Sequence, residues 1–307
     1  MSGSYVLRRL LHSVFVLFGV SAIVFLLLRL IPGDPVRLLL PPEATEQMVQ
    51  ETRREMGFDR PMYAQYVVYL GQLVRGDLGT SIRFQRPVLD LVLERFPATL
   101  ELTLVSMVVA TLVAIPLGII AAVKRYSRWD AGVMLGSLLG QSVPTFWMGI
   151  VLILVFAVQL RVLPTSGRGS WQQLVLPSIT LGAYMMALIA RLTRSGMLEV
   201  LREDYVRTAR AKGLPEREVL IRHAFRNAML PVVTVLGMQV GALLGGAIIT
   251  EAVFAWPGIG TLTINAIYMR DYPIVQATVL ISAVAFVAIN LVLDLAYQYL
   301  DPRIQLA

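Results

Sequence analysis

Uncharged apolar runs recur along the chain, separated by short polar and basic segments. A helix that crosses the hydrocarbon core of a bilayer needs about 20 consecutive, predominantly apolar residues. Six runs meet this requirement, at residues 10–28, 102–123, 131–160, 169–190, 227–250 and 272–293. They predict an all-α polytopic membrane protein with six transmembrane helices. Pro144 lies inside the long third run and predicts a kink there, and Pro177 interrupts the fourth.

Basic residues lie mainly on one side of these predicted spans. Arg8 and Arg9 precede the first span, and nine arginines and lysines lie between the fourth and the fifth. Loops rich in arginine and lysine stay on the cytoplasmic side of the membrane. We therefore expect both termini in the cytoplasm. The first run is longer than the apolar part of a signal peptide, which favours an uncleaved anchor.

The polar stretch at residues 32–97 is expected on the external side. Its pattern predicts amphipathic helices at 43–56 and 61–74 and an interfacial helix at 88–95 that leads into the second span. The chain then divides into a cytoplasmic N-terminus with the first span (1–31), an external cap segment (32–97) and a five-helix core (98–307) with a cytoplasmic loop at 195–228. The cap either covers loop ends or docks an external partner.

Composition supports a membrane protein. Of the 307 residues, 56% are hydrophobic and 15% are charged, whereas a soluble domain carries about 25% charged residues. The net charge of +7 lies in short segments between apolar runs, which indicates contact with membrane lipid and not with nucleic acid. The chain has no cysteine and only two histidines, so disulfides and thiolate metal sites are excluded and no metal site is predicted.

Catalytic groups are scarce. Lys124 and Lys212 are the only lysines, and neither lies in the Gly-Lys-Ser/Thr pattern with which a P-loop holds ATP. No nucleophile elbow and no His-Glu-x-x-His zinc helix occurs in the sequence. The charges nearest the spans lie at their ends, at Glu101, Glu251 and Asp294, which argues against ion coupling. We predict a transport protein with no catalytic residue or cofactor of its own, whose energy comes from elsewhere.

Small and uncharged polar residues mark the spans. Gln141, Ser142, Thr145 and Gln239 either form interhelical hydrogen bonds or together line a path for a polar solute. Glycines repeat at i, i+4 spacing in the third and fifth spans, which predicts close helix packing within the chain or at an interface. These glycines are Gly132, Gly136 and Gly140, and Gly237, Gly241 and Gly245.

The loop between the fourth and fifth spans is too long and too patterned for a simple connector. Residues 197–212 predict an amphipathic helix with Leu198, Leu201, Tyr205, Thr208 and Ala209 on one side. The sequence Gly213-Leu214-Pro215 predicts a left-handed cap at the glycine, a hydrophobic contact from the leucine and a second helix after it. The hairpin either lies on anionic lipid or docks in a groove of a cytosolic partner.

This loop resembles the coupling loop of the dipeptide/oligopeptide/nickel permease family of ATP-binding-cassette (ABC) importers. Similar motifs follow the whole chain: Pro-Gly-Asp-Pro at 32–35, Arg-Phe-Pro-Ala-Thr-Leu-Glu-Leu at 95–102, Gly-Gln-Ser-Val-Pro at 140–144, Ala-Arg-Leu-Thr-Arg-Ser at 190–195, Phe-Ala-Trp-Pro-Gly-Ile-Gly at 254–260, Arg-Asp-Tyr-Pro at 270–273 and Leu-Asp-Pro-Arg-Ile at 300–304. The pattern of motifs resembles the first of the family's two permease subunits, and the compact external segment is similar to the dipeptide and glutathione members. Arg207 stands where the wider superfamily has the glutamate of Glu-Ala-Ala, as the peptide family also tends to show.

The resemblance implies a type I ABC importer permease of the bacterial cytoplasmic (inner) membrane that carries dipeptides or short oligopeptides. It implies four kinds of partner: a homologous second permease, two cytosolic ATPase subunits that bind ATP and Mg²⁺, an external (periplasmic) solute-binding protein and lipid. Glutathione or nickel as the solute, an ion-coupled secondary carrier and a membrane enzyme stay open as alternatives. The implied coupling helix, which enters the ATPase cleft, comprises Tyr205, Val206, Arg207, Thr208, Ala209, Arg210, Ala211, Lys212, Gly213 and Leu214.

Overall fold

A computed structural model describes residues 3–30, 36–37, 40, 43–55 and 57–300. The motifs at 32–35 and 301–304, and the side chain of Asp294, lie outside the described part. Among the described residues the regular structure is helical, apart from one isolated bridge between Thr80 and Pro87. The helices are α1 (Gly3–Leu30), α2 (Glu46–Glu55), α3 (Met62–Val74), α4 (Val88–Val123), α5 (Arg128–Ser142), α6 (Thr145–Leu152, continued by the π-helical Ile153–Gln159), α7 (Trp171–Val200), α8 (Asp204–Ala211), α9 (Glu216–Glu218, the π-helical Val219–Phe225 and Arg226–Ala228), α10 (Leu230–Val253), α11 (Ile259–Met269) and α12 (Tyr272–Leu300).

Four of these helices contain stretches long and apolar enough to cross a membrane: Leu11–Arg29, Val88–Val123, Trp171–Val200 and Tyr272–Val292. Two bent pairs raise the number to six when each pair is taken as one span. The first pair is α5 with α6, and the second joins α9 to α10. The prediction of an all-α polytopic membrane protein is therefore confirmed.

The predicted kink at Pro144 is a complete break in the third span. Helices α5 and α6 meet there at 111°. Val143 takes an extended conformation, with φ −81° and ψ 126°, because a proline disfavours the helical conformation of the residue before it. The backbone N–H of Met148 then donates to the Pro144 carbonyl at 3.0 Å and starts α6.

Two predicted boundaries were wrong, and both helices contain a proline that does not end them. The interfacial helix expected at 88–95 is continuous with the second span, since α4 runs through Pro97 to Val123. Helix α7 includes Pro177 and extends to Val200, well beyond the predicted end at 190. Neighbouring helices can satisfy the carbonyl that a proline leaves without a donor in a membrane helix.

The single helix predicted at 197–212 was also wrong. Helix α7 ends at Val200, a turn follows, and α8 begins only at Asp204. The turn is needed because Val206 and Ala209 fold back onto Val200 and Leu201 in one apolar cluster. Burial of this apolar surface outweighs the helical propensity of the connecting residues.

Two compact units make up the chain. The first comprises Met1–Pro97 with Gly258–Ala288, and the second Ala98–Pro257 with Ile289–Ala307. In the first unit, Leu28, Val88 and Ile274 belong to one buried apolar cluster, so the first span, the start of α4 and the start of α12 pack together. Tyr66 of α3 packs against Phe25 of α1 with ring centroids 5.0 Å apart.

In the second unit, α4, α7 and α10 share the main core. Leu102, Ile189 and Ala247 are among its buried members. Gly118 permits a close approach of α4 to α7, because a Cβ atom there would lie 2.6 Å from the Thr193 Cβ atom and 2.7 Å from the Ala190 carbonyl oxygen. Such small residues let helices approach in a bilayer, where water does not drive their association.

Candidate functional site

The break between α5 and α6 opens a cavity of about 210 Å³. Gln141, Ser142 and Thr145 all line it, together with Thr180 and Tyr184 of α7. The structure therefore brings together three of the four polar residues that the sequence singled out as a path. The fourth, Gln239, lies half-buried in α10 and does not line this cavity.

In the described part of the chain, Gln141 is the one side-chain amide in the wall of this cavity. Its Oε1 atom accepts a hydrogen bond of 2.6 Å from Nη2 of Arg191. Its Nε2 atom is buried and has no hydrogen-bond partner among the described residues. An amide donor left without an acceptor is costly in an apolar surrounding, so Gln141 is a residue of this cavity wall whose hydrogen bonding is incomplete among the described residues.

The glycine ladder of α5 lies along a second, apolar cavity of about 580 Å³. A Cβ atom on Gly140 would lie 3.3 Å from both the Ala183 oxygen and the Ala187 Cβ atom of α7, whereas one on Gly132 or Gly136 would meet nothing within 4 Å. Of the three glycines in this ladder, only Gly140 packs against another helix among the described residues. The other two glycines face open space.

The ladder of α10 is divided in the same way. Gly237 and Gly241 are buried, whereas Gly245 is exposed. A Cβ atom on Gly245 would meet nothing within 4 Å among the described residues. The exposed end of this ladder therefore has no helix packed against it in this part of the chain.

Asp130 and Arg194 form an ion pair that the sequence analysis missed. The Asp130 carboxylate accepts hydrogen bonds from Nε of Arg194 at 2.6 Å and Nη2 at 2.8 Å, and a third from the Tyr126 backbone N–H at 3.0 Å. Asp130 is 5% exposed. The one local signal was Ser127, which caps α5 by accepting from the Asp130 N–H.

Glu251 is a second polar group whose setting the sequence did not predict. The sequence placed its charge at a span end, but its side chain is completely buried and accepts a 2.6 Å hydrogen bond from Thr99 Oγ1. Beside it, Trp256 donates its indole N–H to the Ala98 carbonyl at 2.8 Å. These bonds join the end of α10 to the interior of α4.

The C-terminal end of α8 has the predicted left-handed cap. Gly213 has φ +79°, and its N–H donates to the Arg210 carbonyl at 2.9 Å, while the Leu214 N–H donates to the Ala209 carbonyl at 3.4 Å. This pair of bonds is a Schellman motif. Leu214 packs against the cluster of Val206, Ala209 and Val219, so the predicted hydrophobic contact is confirmed.

The buried side of α8 differs from the prediction. Val206 and Ala209 face the cluster, whereas Tyr205 and Thr208, expected on the apolar side, are exposed. The prediction extended the helical periodicity of α7 through residues 201–203, but the chain turns there and α8 starts with a different side facing the cluster. Tyr205 instead accepts a hydrogen bond of 2.8 Å through its hydroxyl from Nδ2 of Asn227.

An ion pair ties α8 to α9. Arg210 donates two hydrogen bonds to the Glu216 carboxylate, at 2.7 and 3.1 Å. The same bonds raise the pKa of Arg210 and lower the pKa of Glu216. Both side chains are partly exposed, so the pair orients the two helices more than it stabilises them.

The loop is anchored on the ends of two long helices. Ala122 of α4, Met197 of α7 and Ala224 of α9 lie in one buried cluster. A Cβ atom on Gly196 would come within 2.9 Å of the Ala228 oxygen, so α9 packs closely on α7. Because α8 is itself tied to α9, the whole loop is anchored on α4 and α7.

Comparisons with known proteins identify the class. The family described as "Binding-protein-dependent transport system inner membrane component" matches residues 114–306, and a companion family for the N-terminal part of such components matches residues 3–103. This chain belongs to that family, the permease subunits of ABC importers. It is therefore a multi-pass protein of the bacterial inner membrane and not itself an enzyme.

Relatives of known name cover the whole chain. The glutathione transport system permease protein GsiC of Escherichia coli (strain K12) is 48% identical over 98% of this chain and 99% of its own length. The protein of the same name from Shigella dysenteriae serotype 1 (strain Sd197) shows the same identity and coverage.

Solved structures agree on the fold. The MetNI methionine ABC transporter, in inward-facing conformations, matches with a TM-score of 0.56 and 20% identity, over 69% of this chain and 96% of that chain. An amino acid ABC transporter crystallised with histidines matches with a TM-score of 0.53 and 14% identity, over 68% and 94%. The chain has the type I ABC importer permease fold.

Proposed function

We propose that this chain is one of two permeases of an ATP-driven importer for short peptides, with glutathione as the first cargo to test. The observation that carries the proposal is the 48% identity, over nearly the full length of both chains, to permeases named for glutathione transport. Dipeptides and short oligopeptides belong to the same chemical class. Nickel fits less well, because the path residues are amides and hydroxyls and not the nitrogen or sulfur ligands that suit nickel.

The proposed path begins at the cavity of the α5–α6 break. Gln141, Ser142 and Thr145 line the cavity, and the buried Nε2 of Gln141 lacks an acceptor among the described residues. A peptide supplies carbonyl, amide and carboxylate groups that suit a wall of hydroxyl and amide side chains. Gln239, on α10, is proposed as a further polar residue of the path.

In the proposed orientation both termini are cytoplasmic. The basic residues near the ends of the spans support the cytoplasmic location of both termini. The α4–α5 turn and the α8–α9 loop then lie in the cytoplasm, and residues 32–97 form the external cap. This places α8 where cytosolic subunits can reach it.

We assign coupling to α8 and its cap, residues 205–214. The proposal rests on the construction of the loop: the glycine cap, the buried cluster beneath it and the Arg210–Glu216 pair together make α8 a rigid projection. Closure of two ATPase subunits around ATP and Mg²⁺ pushes this projection. The push reaches α7 and α4 through Met197 and Ala122 and opens the path to one side and then the other.

The proposed machine needs four partners besides lipid. These are a homologous second permease, two ATPase subunits and an external solute-binding protein, in line with the description of the family as binding-protein-dependent. The permease supplies the path and the mechanical link. The ATPases supply the energy.

Uptake by the assembled complex tests this proposal. The complex is reconstituted in liposomes, and uptake of labelled glutathione, dipeptide and Ni²⁺ is measured with the solute-binding protein present and ATP at the nucleotide-binding side. We expect ATP-dependent uptake of glutathione or a dipeptide, and none of Ni²⁺. Uptake by this chain alone, driven by an ion gradient, would show that it is a secondary carrier and would contradict the proposal.

A further inference from the structure

A buried carboxylate holds a loop of the cap in one position. Asp271, between α11 and α12, has no exposed surface. Its Oδ2 atom accepts a hydrogen bond from Ser81 Oγ at 2.5 Å and another from the Arg83 backbone N–H at 3.0 Å. Ser81 Oγ in turn accepts from the Phe84 N–H at 2.9 Å. One carboxylate thus fixes the backbone of residues 81–84.

The rest of this loop closes as a small hairpin. The Ser81 N–H donates to the Arg86 carbonyl at 2.9 Å, and the Val88 N–H donates to the Gly79 carbonyl at 3.0 Å. Gln85, at the tip, has φ +52°, an unfavourable conformation for a residue with a side chain. Surrounding hydrogen bonds therefore hold the tip against its own backbone preference.

Positive and aromatic side chains surround the point that Asp271 fixes. Arg83 and Arg86 are exposed on the hairpin, and Phe84 between them is 47% exposed. The carboxyl end of α11 adds Arg270, exposed and next to Asp271 in the chain, and Tyr268, which is 83% exposed. We call Arg83, Phe84, Arg86, Tyr268 and Arg270 the hairpin patch.

The charge of this patch is only partly compensated. Arg86 pairs with Glu94 at the surface. Among the described residues, no acidic side chain forms a hydrogen bond or ion pair with the Arg83 or Arg270 side chain, and Asp271 binds the Arg83 backbone and not its guanidinium. Two arginines therefore remain available to an acidic partner.

We propose that the hairpin patch docks an acidic surface of the external solute-binding protein. The proposal rests on the proposed function, which puts residues 32–97 outside. Arginine, tyrosine and phenylalanine are the residue types enriched at protein interfaces, and a preformed loop loses little conformational freedom on binding. Anionic lipid attracts basic segments through its surface charge alone, so a hairpin held in one position favours a protein partner.

Charge reversal tests the patch. The complex is placed in nanodiscs of phosphatidylcholine, and its ATP hydrolysis is measured against the concentration of a solute-binding protein already shown to stimulate the wild type. Arg83→Glu with Arg270→Glu should raise the half-saturating concentration about tenfold at low salt and weaken its dependence on salt. Arg54→Glu, an exposed arginine on α2 of the same cap, is the matched control and should cause no shift.

The possible outcomes distinguish a failure of the docking surface from a failure of the proposed import function. If no solute-binding protein stimulates the wild type, the proposed function fails and the docking surface fails with it. If the wild type is stimulated and the double variant responds at the same concentration, the patch is not the docking surface and the function stands. If the double variant differs from the wild type only in nanodiscs that contain anionic phosphatidylglycerol, the patch binds lipid and the inference is overturned.

Discussion

Asp130 and Arg194 join α5 to α7 through two hydrogen bonds of 2.6 and 2.8 Å. Asp130 lies in the first turn of α5, and Arg194 lies two turns before the end of α7, which leads into the α8–α9 loop. The pair therefore connects the helix that ends at the cavity with the helix on which the α8–α9 loop is anchored.

Removal of this carboxylate should destabilise the chain. Asp130→Ala leaves Arg194 without its acceptor in a half-buried site, and loss of one partner of a buried pair costs about 3 kcal/mol. We expect a clearly lower melting temperature in detergent. Asp204→Ala is the matched control, because Asp204 pairs with Arg207 at the surface and surface pairs contribute about 1 kcal/mol or less. Equal melting temperatures for the two variants would contradict this role of Asp130.

The left-handed cap of α8 should be needed for coupling. Gly213→Val places a β-branched residue at φ +79°, which costs about 1–3 kcal/mol and displaces the cap. We expect ATP hydrolysis to persist while peptide uptake falls, with insertion in the membrane unchanged.

Gly213→Asn is the control for this prediction. Asparagine adopts the left-handed conformation more readily than other residues with side chains. Uptake should therefore largely survive. Normal uptake by Gly213→Val in the same liposomes would remove the cap from the coupling mechanism.

Two glycines of the α5 ladder should respond differently to a bulky side chain. Gly140→Leu meets α7 at 3.3 Å, so we expect a loss of about 1–3 kcal/mol in stability from overpacking. Gly136→Leu meets open space and should leave the melting temperature of the isolated chain unchanged. A comparable loss in both variants would mean that Gly136 is packed after all.

Loss of the Asp271 carboxylate should release the hairpin. In Asp271→Ala, Ser81 Oγ and the Arg83 N–H lose a buried acceptor, at a cost of about 1–3 kcal/mol. Hydrogen exchange at the amides of residues 83–86 should become faster. Asp90→Ala, at an exposed position on α4, is the control. In this variant the amides of residues 83–86 should exchange at the wild-type rate.

Much of the fold could be predicted because its signals are local. An apolar run of about 20 residues has one stable solution in a bilayer, a helix with its backbone bonds satisfied internally. The break at Pro144 and the left-handed Gly213 follow in the same way from the covalent structure of proline and glycine. None of these features depends on distant residues.

The errors arose where packing decided the outcome. The turn at residues 201–203 has no breaker in the sequence and exists because Val206 and Ala209 pack against Val200. Pro97 and Pro177 look like helix breaks in the sequence, yet α4 and α7 continue through them. The open face of Gly132 and Gly136 was also not predictable, because a glycine repeat looks the same whether or not a helix covers it.

By itself, the sequence determined the membrane spans, the family and the cap of α8, since each depends on neighbours in the chain. Only the tertiary structure decided which polar groups meet. Asp130 and Arg194 are 64 residues apart, Thr99 and Glu251 are 152 apart, and Ser81 and Asp271 are 190 apart. A buried carboxylate requires a donor in an apolar surrounding, but that requirement does not specify which donor. The packing of the helices brings each pair together and so selects the partner.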